Sequence, residues 1–139
     1  MFANRVAVVT GAGRGIGRAV ARRLAEGGAS VCLLDIDEAG LRAACEELAA
    51  AGRRAAALKT DVTRRDEVDG AMAEAVRLFG RLDILVNNAG VIRDNLFFKM
   101  TASDWDTVMD VHLKGAFHCA QAAQVYMVQQ RYGRLINIS

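Results

Sequence analysis

Several groups of residues have the types and spacing for chemistry. The first is the run Thr10-Gly11-Ala12-Gly13-Arg14-Gly15-Ile16-Gly17. Gly11, Gly13, Gly15 and Gly17 have no Cβ, so the backbone can turn sharply there and approach a ligand closely. A helical pattern follows, and its free N–H groups and positive dipole end suit a pyrophosphate. No Lys-Ser/Thr pair closes the loop, which excludes a P-loop. The second is Asp35, 18 residues after Gly17 at the end of an apolar run. A carboxylate there can accept hydrogen bonds from both adenosine ribose hydroxyls. It would also repel a 2′-phosphate, which favours NAD over NADP. Arg14 opposes this, because a loop arginine can pair with that phosphate, but the repulsion beside the ribose is more local.

Other groups have two explanations each. Asp61 can accept the adenine amino group while Val62 lines the base pocket, or Asp61 caps the next helix. Asn87, Asn88, Ala89 and Gly90 can pack closely against a ribose with amides bridging strands, or form a turn. His112 sits within a helical pattern near Val108, Met109 and Ala116. A lone histidine on such a face is more often structural than catalytic. Lys114 and His118 are expected to face solvent, and Asp37 to be a solvated or capping acid. No HExxH or CxxC motif supports a metal.

The elements that must position these residues follow from apolar periodicity. A strand spans 5–10 and a helix 15–27, with Ala19, Val20 and Leu24 near one face and Gly27-Gly28 as its stop. A continuous apolar strand at 31–34 ends at Asp35. Leu41, Cys45 and Leu48 form one helical face, ending before Gly52. Residues 54–59 are a strand by context, since their strand propensity is weak. Val68, Met72 and Val76 mark a third helix up to Gly80, and a strand follows at 82–86. Residues 91–102 connect onward with an apolar patch at Leu96, Phe97 and Phe98. Ser103 is the expected N-cap of a helix over 104–130, with Asp104 and Asp106 in its first turn. That helix has its apolar pattern at Trp105, Val108, Met109, Leu113, Phe117 and Ala120. Leu135 to Ile138 begin a fifth strand.

Alternating strands and helices imply a parallel sheet with right-handed crossovers and helices on both faces. The fold class is α/β: a Rossmann-type doubly wound sheet in three layers, α/β/α. Thr10, Asp35, Asp61 and Asn87 all end apolar strands, so they fall on one rim, where a binding crevice is expected. The 139 residues are read as a single domain whose sheet stops after strand five, an incomplete product with an uncovered edge there.

Composition narrows the function. The chain is 53% hydrophobic, enough for a substantial core, and its formal net charge of +2 is too small for a nucleic-acid surface. Paired arginines such as Arg22-Arg23 and Arg64-Arg65 alternate with acids and fit solvated helix ends. Aromatic residues make up only 6%, too few for a stacking platform for bases. Cys32, Cys45 and Cys119 are scattered without ligand spacing, which favours buried thiols in a reducing, cytoplasmic setting. No apolar run is long enough to span a membrane.

Together, Thr10 through Gly17, Asp35, Asp61-Val62, Asn87-Asn88-Ala89-Gly90 and the approach Gly133-Arg-Leu-Ile-Asn-Ile-Ser139 resemble the short-chain dehydrogenase/reductase family, in family order. The resemblance runs from about residue 4 to 139. It is nearest to the 3-oxoacyl-carrier-protein reductases, acetoacetyl-CoA reductases and 3-hydroxyacyl-CoA dehydrogenases. It implies hydride transfer between NAD(P) and a small or acyl-thioester-linked 3-oxo or 3-hydroxy substrate. It implies pyrophosphate at residues 11–17, ribose at Asp35, and adenine at Asp61 and Val62. Asn87 through Gly90 would stabilise the central sheet and line the cofactor. A homo-oligomer, a dimer within a tetramer, would pair through the fourth helix.

Two departures from the family pattern matter. The family's fourth-helix asparagine, which supports the catalytic lysine through a water, aligns with His112. Histidine can still donate or accept one hydrogen bond, and it resembles some hydroxyacyl-CoA dehydrogenases here. The family's catalytic serine, tyrosine and lysine would follow Ser139, and neither Tyr126 nor Tyr132 has a lysine four residues on. The 139-residue chain is therefore expected to lack dehydrogenase activity. The alternative function is a non-catalytic nucleotide-binding or structural protein of the same fold.

Overall fold

A computed structural model describes residues 1–89 and 101–138. The expectations for Gly90, for the patch of Leu96, Phe97 and Phe98, and for Ser139 lie outside the described residues. The elements are β1 (Val6–Thr10), α1 (Gly15–Glu26), β2 (Ser30–Asp35), α2 (Glu38–Ala50), β3 (Ala55–Lys59), α3 (Arg65–Phe79) and β4 (Ile84–Asn87). After the undescribed residues come α4 (Ala102–Met109), a π-helical turn (Asp110–Lys114), α5 (Gly115–Gln130) and β5 (Arg134–Asn137). All pairings among the described strands are parallel, in the order β3-β2-β1-β4-β5. This is a three-layer α/β/α Rossmann fold. Strand order reverses between β1 and β4, which is where such sheets open a crevice.

The period-2 alternation of side chains builds a core on each face of the sheet. Ala7, Val9, Val31, Leu33, Ile84 and Val86 pack with Leu24, Leu41 and Leu48 of α1 and α2. Val8, Cys32, Leu34 and Leu85 pack on the other face with Val68, Met72 and Cys119 of α3 and α5. Burial on both faces explains why β1, β2 and β4 read as continuous apolar runs rather than alternating ones. Asp83 interrupts the fourth run, just before β4, and is fully buried. Its Oδ2 accepts Val6 N–H at 2.9 Å, and Arg81 Nε donates to the same carboxylate at 2.8 Å. The hydrogen bond to Asp83 raises the Arg81 pKa further. The carboxylate thus joins the amino ends of β1 and β4 and fixes the relation of the two strands that flank the crevice.

Several local expectations are corrected. Ala19 is exposed, and α1 buries Gly17, Ala21, Leu24 and Ala25 instead. Asn87 belongs to β4, while Leu82 and Asp83 precede it. Thr101, not Ser103, caps α4: its hydroxyl accepts Asp104 N–H, and the Asp104 carboxylate accepts Thr101 N–H in return. That reciprocal pair satisfies two helix-end donors.

The long helix is interrupted by the π-helical turn, and its buried face differs from the expected one. Gly115, His118, Cys119, Ala122, Ala123 and Met127 face inward, while Trp105, Leu113 and Phe117 are exposed. Small residues let α5 approach the neighbouring elements closely: a Cβ on Gly115 would lie 2.6 Å from Val62 Cγ2. Taking the bulkiest apolar residues as the core face therefore selects the outer face. His118 is buried rather than solvent-facing, and His112 is exposed rather than packed on an apolar face.

Candidate functional site

Thr10, the last residue of β1, organises the crevice. Its Oγ1 accepts the N–H groups of Asn88 and Ala89, each at 2.9 Å, and donates to Val86 O at 3.4 Å. One hydroxyl therefore uses its donor and both acceptor sites to tie the carboxyl end of β1 to that of β4.

The glycines divide their labour. A Cβ on Gly17 would lie 2.2 Å from Gly11 O and 2.5 Å from Asn88 Nδ2. A Cβ on Gly11 would lie 3.0 Å from Ala89 Cα. These two glycines let the loop press against the Asn88-Ala89 backbone, and Asn88 Nδ2 donates to Gly11 O at 3.3 Å. Gly15 has a φ of +58° and open space around it. It serves the turn and leaves room beside the start of α1.

The start of α1 lacks what the starts of α2, α3 and α4 possess. Asp37 caps α2 through Gly40 N–H, Thr101 caps α4, and α3 has Asp66 and Glu67 in its first turn. At α1, Arg14 makes no side-chain cap and the first turn has no acid. Its N–H groups and positive dipole end remain available for an anion.

Asp35 stands opposite. Its Oδ2 accepts Gly13 N–H at 2.9 Å and its Oδ1 accepts Asp37 N–H at 3.1 Å. A carboxylate has about four lone-pair sites, so both oxygens are fixed in place with acceptor capacity left over. Asp61 does not cap α3, whose N-cap position is Arg64 with no side-chain cap; its Oδ1 instead accepts Thr63 N–H and Thr63 Oγ1–H within the turn before the helix. Asn87 Nδ2 donates to Asn137 Oδ1 at 3.0 Å, the strand-bridging amide contact expected of the tetrad.

A cavity of about 370 Å³ opens at this rim. Gly11, Arg14, Ile16, Asp35, Asp61, Val62, Ala89 and His112 all line it. Gly13, Gly15 and Gly17 do not; they shape the loop behind it. An adjoining cavity of about 310 Å³ is lined by Asn87, Val62 and His112 among others, so Val62 and His112 border both. The π-helical turn places His112 there; such turns occur often at functional sites. Ile36, Thr60 and Ile138 also line the larger cavity and were missed. In sequence Ile36 is an apolar residue between Asp35 and Asp37, and the structure leaves it exposed. Among the described residues no group of three His, Cys, Asp or Glu is placed to hold a metal ion. No described helix is long and apolar enough to cross a membrane.

The family model described as short chain dehydrogenase matches residues 5–139. The chain belongs to this family. It is 43% identical over 136 residues to the (2S)-[(R)-hydroxy(phenyl)methyl]succinyl-CoA dehydrogenase subunit BbsD of Thauera aromatica, covering 98% of this chain and 55% of that protein. It is 45% identical over 143 residues to the 3-oxoacyl-[acyl-carrier-protein] reductase FabG of Staphylococcus aureus, covering 100% of this chain and 57% of that one. The short-chain reductase protein NovJ of Streptomyces niveus is 47% identical over 134 residues, 96% of this chain and 51% of that protein. The crystal structure of gox2181 superposes with a TM-score of 0.93 at 37% identity, covering 99% of this chain and 54% of that one. The chain thus spans about half the length of the relatives it matches.

Proposed function

We propose that residues 1–139 form one domain, the dinucleotide-binding part of an NAD(P)-dependent short-chain oxidoreductase acting on a 3-oxo or 3-hydroxy substrate. The observation that carries this is the uncapped start of α1 facing the same cavity as the fixed Asp35 carboxylate. The N–H groups of α1 and the open space at Gly15 fit a pyrophosphate, and the free acceptor sites of Asp35 fit the ribose hydroxyls. Val62 borders the adenine end, and Asp61, already bonded to Thr63, offers its remaining acceptor capacity there. Asn87 and Ala89 border the ribose on the nicotinamide side. When bound, a nicotinamide dinucleotide supplies the hydride acceptor or donor.

The family relationship, with a substituted succinyl-CoA dehydrogenase subunit and a 3-oxoacyl-[acyl-carrier-protein] reductase among the relatives, supports an acyl-thioester substrate. His112, exposed on the π-helical turn, orients polar groups at the inner end of the cavity through a ring nitrogen. A soluble, cytoplasmic protein fits the absence of a spanning helix among the described residues. Self-association through the outer face of α4 and α5 fits the exposure of Trp105, Leu113, Phe117, Val125 and Val128. Neither Tyr126 nor Tyr132 has a lysine four residues on, so residues 1–139 alone bind without turnover.

Asp35 makes NAD the preferred cofactor. Calorimetric titration of the purified chain tests this. Saturable NAD+ binding, about tenfold tighter than NADP+, is expected, and Asp35→Ala should remove the preference. No binding of either, or tighter NADP+ binding by the unaltered chain, overturns the assignment. Turnover by the 139-residue chain overturns its inactivity.

A further inference from the structure

His118 is a buried polar residue that none of the roles above uses. Its Nδ1 lies 2.9 Å from Val62 O. A carbonyl oxygen only accepts, so Nδ1 carries the proton and donates. Val62 is itself buried, and its side chain lies against Gly115, one turn earlier on the same helix as His118. The rest of this turn is bonded locally. Asp61 N–H donates to Glu67 Oε1, Arg64 N–H to Asp61 O, and Thr63 to the Asp61 carboxylate. A further link from α3 to α5, between Arg65 and Gln121, is exposed. Among the described residues, the buried polar tie between the turn and α5 is therefore His118 to Val62. Val62 forms wall for both cavities, with Ala89, Val111, His112 and Ile138, so its position helps to set the boundary between them.

We propose that His118 is a positioning residue for the adenine end of the cavity, holding the Val62 wall in place through its Nδ1–H···O bond. This rests on the dinucleotide assignment above. Without the donor, Val62 O is left buried and unpaired, and the turn must shift to solvate it. The loss falls on ligands that carry the base and spares those that touch only the glycine loop. Asparagine is the informative replacement, because its Nδ2 donates from nearly the position that Nδ1 occupies.

The test is an NMR titration of the purified chain and of its His118→Leu and His118→Asn variants with NAD+, AMP and inorganic pyrophosphate. Amide hydrogen exchange over residues 61–64 is followed without ligand. His118→Leu is expected to weaken NAD+ and AMP by about tenfold each, leave pyrophosphate unchanged, and speed exchange at Thr63 and Arg64. His118→Asn is expected to restore AMP binding to within about threefold of the unaltered chain. If His118→Leu binds AMP normally and only melts earlier, the inference is overturned and the dinucleotide assignment stands. The same holds if pyrophosphate weakens in step with AMP, or if His118→Asn fails as fully as His118→Leu. If the unaltered chain binds neither NAD+ nor AMP, the dinucleotide assignment is overturned, and this inference with it.

Discussion

Strands β4 and β5 lie side by side in parallel register, with Ile84 opposite Arg134, Leu85 opposite Leu135, Val86 opposite Ile136 and Asn87 opposite Asn137. Their patterns are close, two successive apolar residues and then an asparagine. Yet every residue of β4 is buried and every residue of β5 is exposed. The ladder they share is not the difference, because it serves both strands alike. β4 has β1 on its other side and helices over both faces: Ile84 and Val86 meet one core and Leu85 the other. β5 is the outer strand, with Leu135 half exposed. A parallel ladder satisfies backbone groups, but apolar side chains stabilise the fold only where a second layer removes them from water.

The largest expected effect uses the two facing leucines. Leu85→Ala removes a fully buried side chain from the α3/α5 core and is expected to cost about 2–5 kcal/mol. Leu135→Ala, at the paired position, removes a half-exposed one and is expected to cost less than about 1 kcal/mol. Urea denaturation of both variants measures the difference. Equal losses would break the contrast, since they would mean that β5 is covered in solution.

The asparagines at the end of the same ladder sharpen it from the opposite direction. Asn87 is buried and its Oδ1 has no hydrogen-bond partner among the described residues, while its Nδ2 depends on exposed Asn137. Asn137→Ala therefore strips a buried amide of its acceptor and is expected to cost about 1 kcal/mol, although the residue removed is itself exposed. In a double-mutant cycle, Asn137→Ala should cost much less once Asn87 is already alanine. Additive losses would show that the bridging hydrogen bond contributes nothing.

The same distinction between pattern and covering layer decides what was legible in the sequence. Strand order along the chain, the parallel sheet, the rim of Thr10, Asp35 and Asn87, and the glycine loop all follow from local signals: apolar runs, turn residues and helix stops. Asp37 as a cap and Asn87 as a bridge follow in the same way. What failed depended on how closely elements approach. The inner face of α5 is made of Gly115, Ala122 and Ala123, whose small size is itself the packing device, so the larger Leu113 and Phe117 drew attention to the wrong side. His118 lies on that same small-residue face. The π-helical turn at His112 has no local signature in Asp110-Val-His-Leu-Lys114. The Thr10 clamp on Asn88 and Ala89 joins residues more than 75 positions apart, which no local pattern can reveal.

The smallest expected effect probes whether the layer that covers Leu85 stays dry. Cys32 on β2 and Cys119 on α5 belong to the same core and are fully buried. Burial pushes both thiols from the ordinary 9.0 up to about 12. The folded state then keeps a proton that the unfolded chain releases. Their contribution to stability is intact below pH 9 and declines as the pH rises from about 9 towards 12. At pH 9 the decline is roughly a few tenths of a kcal/mol per thiol, since the unfolded thiol is about half ionised there. Other groups also titrate in this range, so the informative quantity is a difference. The fall in urea midpoint between pH 7 and pH 9 should be steeper for the unaltered chain than for Cys32→Ala/Cys119→Ala. Equal falls would mean that both thiols ionise as freely in the folded protein as in the unfolded chain. Water would then reach the side of β4 that distinguishes it from β5.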